Sequence, residues 1–102
     1  MVEIVLQTPY KLRVGGHEYT IELSLVPRES NWRGETNHLT RKIRIDPTCP
    51  IEADKECTLW HEILHSINSV YNDGEIKERE IAELGEGLFQ AMQELGIRII
   101  LK

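Results

Sequence analysis

The stretch Thr58-Leu59-Trp60-His61-Glu62-Ile63-Leu64-His65-Ser66-Ile67 carries an H-E-x-x-H pattern at residues 61 to 65. It lies inside a run from Ile51 to Tyr71 that holds neither glycine nor proline, and this predicts one helix over that span. Leu59, Ile63, Ile67 and Val70 recur at helical spacing and form an apolar stripe, while His61 and His65 fall on the other side. At i and i+4 the two imidazoles stand one turn apart on a single face, close enough to share one Zn²⁺. Glu62 lies beside them, and its carboxylate is placed to take a proton from water at the metal. A shuffled chain with 4 histidines and 102 residues would give the pattern on the order of 0.02 times, so its placement on a helix adds weight that the motif alone lacks.

Outward from this helix the pattern is α+β. The first half reads as strands: Glu3 to Gln7, Tyr10 to Val14, and His17 to Val26, the last two joined by a Gly15-Gly16 hairpin turn. Residues 27 to 36 read as a loop, and His38 to Asp46 as a further strand ending at Pro47. Pro50 suits the first turn of the motif helix, and Asn72-Asp73-Gly74 ends it. A second helix runs from about Glu75 to Leu95 and stops at Gly96, followed by a short strand at residues 97 to 102. Residues 1 to 102 are expected to form one domain, a small mostly antiparallel sheet packed against the motif helix and a C-terminal helix.

Two histidines leave a catalytic zinc one protein ligand short, because the fourth position must stay open for water or substrate. No histidine follows His65, and His17 and His38 lie upstream in expected strands, so a glutamate from the following helix is the economical choice. The candidates are Glu75, Glu78, Glu80, Glu83 and Glu86. Ile81, Leu84, Leu88, Met92 and Leu95 form the apolar stripe of that helix. Glu78 falls on the border of the stripe and in line with Gly85, where a charge is partly buried and a cation compensates it. It is preferred over Glu80, Glu75 and Glu86, and Glu83 points outward. Gly85 on the buried face fits close approach of the two helices.

The balance of charge narrows the partners. The net charge is −5, with −6 in residues 51 to 102 and +1 in residues 1 to 50. Such acidity argues against a dedicated nucleic-acid binder, and Arg41, Lys42 and Arg44 read as a solvated strand face. No apolar run approaches the roughly 20 residues needed to span a bilayer, so no membrane association is expected. The acid in Met1-Val2-Glu3-Ile4-Val5 does not suit a secretory signal, which makes the cytoplasm the expected compartment. Cys49 and Cys57 match no common zinc framework and read as reduced, structural thiols.

The motif helix, the strand before it and Ile81-Ala82-Glu83-Leu84-Gly85-Glu86-Gly87-Leu88 after it together resemble small zincin-type metallopeptidases, the minimal gluzincin-like domains called minigluzincins. The resemblance covers roughly residues 36 to 92 and is most specific at the motif helix. It implies His61 and His65 as zinc ligands, Glu62 as general base and acid, and a peptide or protein substrate. It also implies a cleft edged by the strand before the motif helix, here about Leu39 to Ile45, along which substrate pairs as an added strand. Larger gluzincins place an acid four positions after the ligand glutamate, whereas Ala82 follows Glu78 here. No oxyanion-stabilising residue announces itself, and His38 and Tyr71 are the candidates. The C-terminal tail either completes a sheet, sits at the cleft edge and keeps the enzyme latent, or pairs with a second subunit as a tail-mediated dimer. The competing functions are a non-catalytic zinc-binding or regulatory interaction module on the same fold and a metal-free interaction domain.

Overall fold

The computed structural model describes residues 1 to 26 and 33 to 102. The elements in chain order are β1 (Val2–Leu6), β2 (Tyr10–Val14), β3 (His17–Leu23), β4 (Gly34–Asn37), β5 (Lys42–Ile45), α1 (Glu52–Asn72), α2 (Glu78–Glu94) and β6 (Ile97–Leu101). The class is α+β. Strands β2, β3, β5 and β4 form the main sheet in that order, with β2–β3 and β4–β5 antiparallel and β3–β5 parallel. A separate pair, β1 with β6, is parallel throughout its register from Val2 opposite Ile97 to Leu6 opposite Leu101.

Alternation decides which sheet face meets the helices. On β3 and β5 the residues Tyr19, Ile21, Ile43 and Ile45 are buried and join Leu59 of α1 in one core cluster, which also takes in Val14 and Leu101. The intervening Arg44 lies on the other face, where its guanidinium meets Glu22 at 3.5 Å and Glu35 at 3.3 Å. The tail is tied into the same core. Leu101 is buried, and Arg98 Nε donates to Glu56 Oε1 of α1 at 2.9 Å. Glu56 is 1% exposed, so Arg98 supplies the countercharge without which a buried carboxylate is strongly destabilising. Among the described residues, none lining the cleft beside the motif comes from the tail.

The segment between β3 and α1 departs from the sequence expectation. Gly34 to Asn37, expected to end a loop, form strand β4, while 38 to 41, expected in a strand, form the turn to β5. The Asn37 side chain drives that turn, its Oδ1 accepting from the amides of Leu39 (3.0 Å) and Thr40 (3.1 Å), and Arg41 adopts a left-handed φ of 55°. Because β5 returns between β3 and β4, the sheet edge on this side, among the described residues, is β4 and not the strand nearest in sequence to the motif helix. The rest of the expected loop, residues 27 to 32, lies outside the described residues.

The helices follow their apolar patterns with two shifts. On α1 the buried residues are Glu56, Leu59, Glu62, Ser66 and Asn68, while Ile67 is 40% exposed. On α2 Ile81 and Gly85 are buried, whereas Leu84 and Leu95 are exposed at 52% and 70%. The reason is Gly85: it faces the backbone of α1, and a Cβ there would lie 3.3 Å from His61 Cα and 3.4 Å from His61 N. The helix turns its side without a side chain to the closest contact, which rotates Leu84 toward solvent. Gly85→Val is therefore expected to overpack this crossing by about 1–3 kcal/mol and lower Tm by roughly 5–15 °C. An unchanged thermal melt would contradict so close an approach.

Among the described residues, no helix is long and apolar enough to cross a membrane.

Candidate metal centre

His61 and His65 project from the middle of α1, and Glu78 is the first residue of α2. The loop between the helices brings them together. Asp73 and Gly74 both adopt left-handed φ values, 51° and 72°, and their amides return to Asn68 O. Asn68, 6% exposed, then clamps the far side of the loop: its Nδ2 donates to Ile76 O at 3.0 Å and its Oδ1 accepts from Ile76 N at 3.1 Å. Two residues later the chain enters α2 at Glu78. Asn68→Ala leaves both Ile76 groups unpaired, so we expect a loss of about 1–3 kcal/mol of stability. If the His61, His65 and Glu78 group holds a metal ion, the same change is expected to weaken its binding by roughly 10–100-fold, as loss of an outer support of a ligand does. A competition titration with a chromophoric chelator and a thermal melt check both effects.

The three side chains converge. His61 Nε2 lies 2.8 Å from Glu78 Oε1, His65 Nε2 lies 2.6 Å from Glu78 Oε2, and the two imidazole nitrogens are 3.2 Å apart. Their ligand atoms all fall within 4.8 Å of one another, and among the described residues this is the group able to hold a metal ion. The donor set suits a cation. Two imidazole nitrogens in contact need a proton or a metal between their lone pairs, and 3.2 Å is close to the edge of about 3.3 Å in a tetrahedron built on zinc–nitrogen bonds of ~2.0–2.1 Å. Burial holds the His65 imidazole below the usual histidine range, against the pull of Glu78, which favours the neutral form that ligates metals.

Glu62 is 3% exposed and belongs to the adjacent cleft. Its environment opposes itself: burial pushes its carboxyl above the ordinary range, while the Thr36 hydroxyl and the charge of His61 pull it down. Thr36 Oγ1 stands 2.8 Å from Glu62 Oε1 and 3.1 Å from Glu62 O, so β4 holds the carboxylate directly. Gly34 makes that docking feasible, since a Cβ there would meet Thr58 Cγ2 at 2.6 Å and Glu62 Cγ at 3.2 Å. Space opens on both sides of Glu62. One cleft of about 360 Å³ is lined by Thr36, His38, Glu62, His65 and Glu78. The other, about 200 Å³, is lined by Arg33, Cys57, Thr58, Glu62 and Glu86.

Of the glutamates considered for the third ligand, Glu78 alone joins the histidines. Glu86 lines the second recess, Glu83 pairs with Arg79 at 3.2 Å on the outer face, and Glu75 and Glu80 are exposed outside the group; Glu78 is itself exposed, its side chain at 45%, so it is less covered than its border position predicts. Tyr71 is 71% exposed and sits by the Gly15 hairpin turn, in a groove with Leu12 and Ile67 that Glu62 does not line. His38, in contrast, reaches the cleft. Cys49 and Cys57 are both free thiols. Cys49 accepts from Arg33 Nη1 at 2.8 Å. Burial, followed by the charges of Glu86, Asp54 and Glu56, raises the Cys57 thiol and keeps it protonated. Thr36 escaped the sequence reading because a hydroxyl on a four-residue polar strand carries no periodic or motif signal.

No family model, curated protein or solved structure matches the chain.

Proposed function

We propose that this chain is a zinc-dependent peptidase of the gluzincin-like kind, with His61, His65 and Glu78 as metal ligands and Glu62 as general base and acid. The observation that carries the reading is the joint geometry. Three protein donors converge, no fourth histidine, cysteine or carboxylate joins them among the described residues, and a buried glutamate shares the open cleft with two of the three. A structural zinc site takes four protein ligands, whereas a catalytic one keeps a position open.

When bound, zinc supplies a Lewis acid that polarises the scissile carbonyl and brings the pKa of water near 7. Glu62 takes the proton of the attacking water and delivers it to the leaving amine as the C–N bond breaks. Thr36 keeps the Glu62 carboxylate in one orientation through both transfers. The edge strand β4 offers its outer backbone groups to an extended peptide, which adds to the sheet beside Glu62. The recess formed by Thr58, Cys57 and Ala82 then receives a substrate side chain.

The test is hydrolysis of unfolded casein by the zinc-loaded protein. We expect turnover that a chelator abolishes and added zinc restores. Stoichiometric zinc without turnover would favour a non-catalytic zinc-binding module, and no zinc would favour a metal-free interaction domain.

A further inference from the structure

We infer that His38 is a catalytic residue that donates a hydrogen bond to the carbonyl oxygen as it becomes an oxyanion, with Tyr19 as the residue that positions it; this rests on the peptidase reading above.

Attack of water on a carbonyl places negative charge on its oxygen, and a donor fixed in advance stabilises that charge. The cleft shared with Glu62 and Glu78 is lined chiefly by acceptors: Glu35, Glu62 and Glu78 are carboxylates, and the single hydroxyl hydrogen of Thr36 is already directed at Glu62. His65 is a ligand. His38 is the remaining cleft-lining side chain, among the described residues, that offers an N–H.

Its position is fixed twice. His38 immediately follows β4, the edge beside which a peptide would lie, at the start of the turn that the Asn37 side chain holds through Leu39 and Thr40. The ring is held from behind, its Nδ1 lying 3.3 Å from the hydroxyl of Tyr19, a residue 2% exposed on β3. We take the phenol as the donor to Nδ1, the tautomer in which the ring proton sits on Nε2, at the opposite edge of the ring. Nor does His38 belong to the ligand group: its nitrogens are not among the atoms of His61, His65 and Glu78 that lie within 4.8 Å of one another. It lines the cleft with His65 and Glu78 without joining their group, which leaves its free ring edge for a substrate oxygen. The sequence left His38 in an expected strand and one of two oxyanion candidates with Tyr71; in the structure it lies in the turn after β4 and lines the cleft.

The test uses the full zinc-loaded chain. Long-range ¹H–¹⁵N spectra should show His38 protonated at Nε2 and bare at Nδ1, a preference that Tyr19→Phe removes. In casein or quenched-peptide hydrolysis, His38→Ala should lower kcat by roughly 10²–10³-fold with KM changed only a few-fold and zinc per chain unchanged. His38→Gln, which returns an N–H near the Nε2 position, should recover part of the loss, and Tyr19→Phe should cost about tenfold. Wild-type kcat in His38→Ala, or loss of zinc along with activity, would overturn the assignment. A phosphonamidate tripeptide, a tetrahedral anion that needs no turnover, separates this inference from the peptidase reading. Should the wild type hydrolyse nothing, tighter binding of this probe by wild type than by His38→Ala would still support the donor. Equal binding, or none by the wild type, would overturn it.

Discussion

Glu62→Gln is expected to keep about one zinc per chain and, if the chain is the peptidase proposed, to lower peptide hydrolysis by roughly 10²–10⁴-fold, the range for removal of a general acid–base group. The substitution is close to isosteric. The amide oxygen of glutamine still accepts from Thr36, which approaches Oε1 at 2.8 Å, so the side chain stays in place while its ability to hold a proton is lost. Folding is expected to be unimpaired or improved, because a carboxylate that burial already pushes upward is replaced by a neutral group. Thermal melts, zinc analysis and casein hydrolysis on the same preparation separate these effects. Equal hydrolysis by mutant and wild type would remove Glu62 from the mechanism.

Glu78→Ala, by contrast, acts on the metal. It removes the carboxylate that lies 2.8 Å from His61 and 2.6 Å from His65, leaving two imidazoles one turn apart on α1. Loss of an outer-sphere partner alone weakens metal sites by 10–100-fold, so loss of a ligand is expected to exceed about 100-fold. Glu83→Ala serves as the control, since Glu83 pairs with Arg79 on the outer face of the same helix and its removal should leave zinc affinity unchanged. Competition against a chromophoric chelator reads both variants. Tight zinc retention by Glu78→Ala would move the third ligand elsewhere.

Local periodicity made the helices that carry the candidate metal ligands legible and the sheet only partly so. The spacing of His61 and His65 on an unbroken helix, the border position of Glu78 and the need for Gly85 at the helix crossing all follow from the geometry of a single helix. The hairpin β2–β3 announces itself through Gly15-Gly16 and the alternation that follows. Strand β4 does not. Gly34-Glu35-Thr36-Asn37 is short and polar because it is an edge, and its contact with α1 depends on Gly34 having no side chain. Parallel pairing of β3 with β5, and of β1 with β6, joins segments distant in sequence, for which no local pattern specifies a register. The same gap hid Thr36 and the setting of His38, whose roles arise from where β4 lies rather than from any motif.

Leu84 is the instructive misplacement. Counting apolar residues assigned it to the buried stripe, yet it is 52% exposed because the smallest side, Gly85, is pressed against His61. A helix that must approach another backbone selects its face by the absence of side chains as much as by their hydrophobicity. For this chain that choice also sets how closely α2 approaches His61, one of the three candidate metal ligands.

The most direct measurement is elemental analysis of the dialysed wild-type chain, combined with zinc-edge X-ray absorption on the same sample. The account predicts about one zinc per chain, with nitrogen and oxygen neighbours at ~2.0–2.1 Å and no sulfur. Absence of retained zinc, or a zinc–sulfur shell at about 2.3 Å drawn from Cys49 or Cys57, would contradict it.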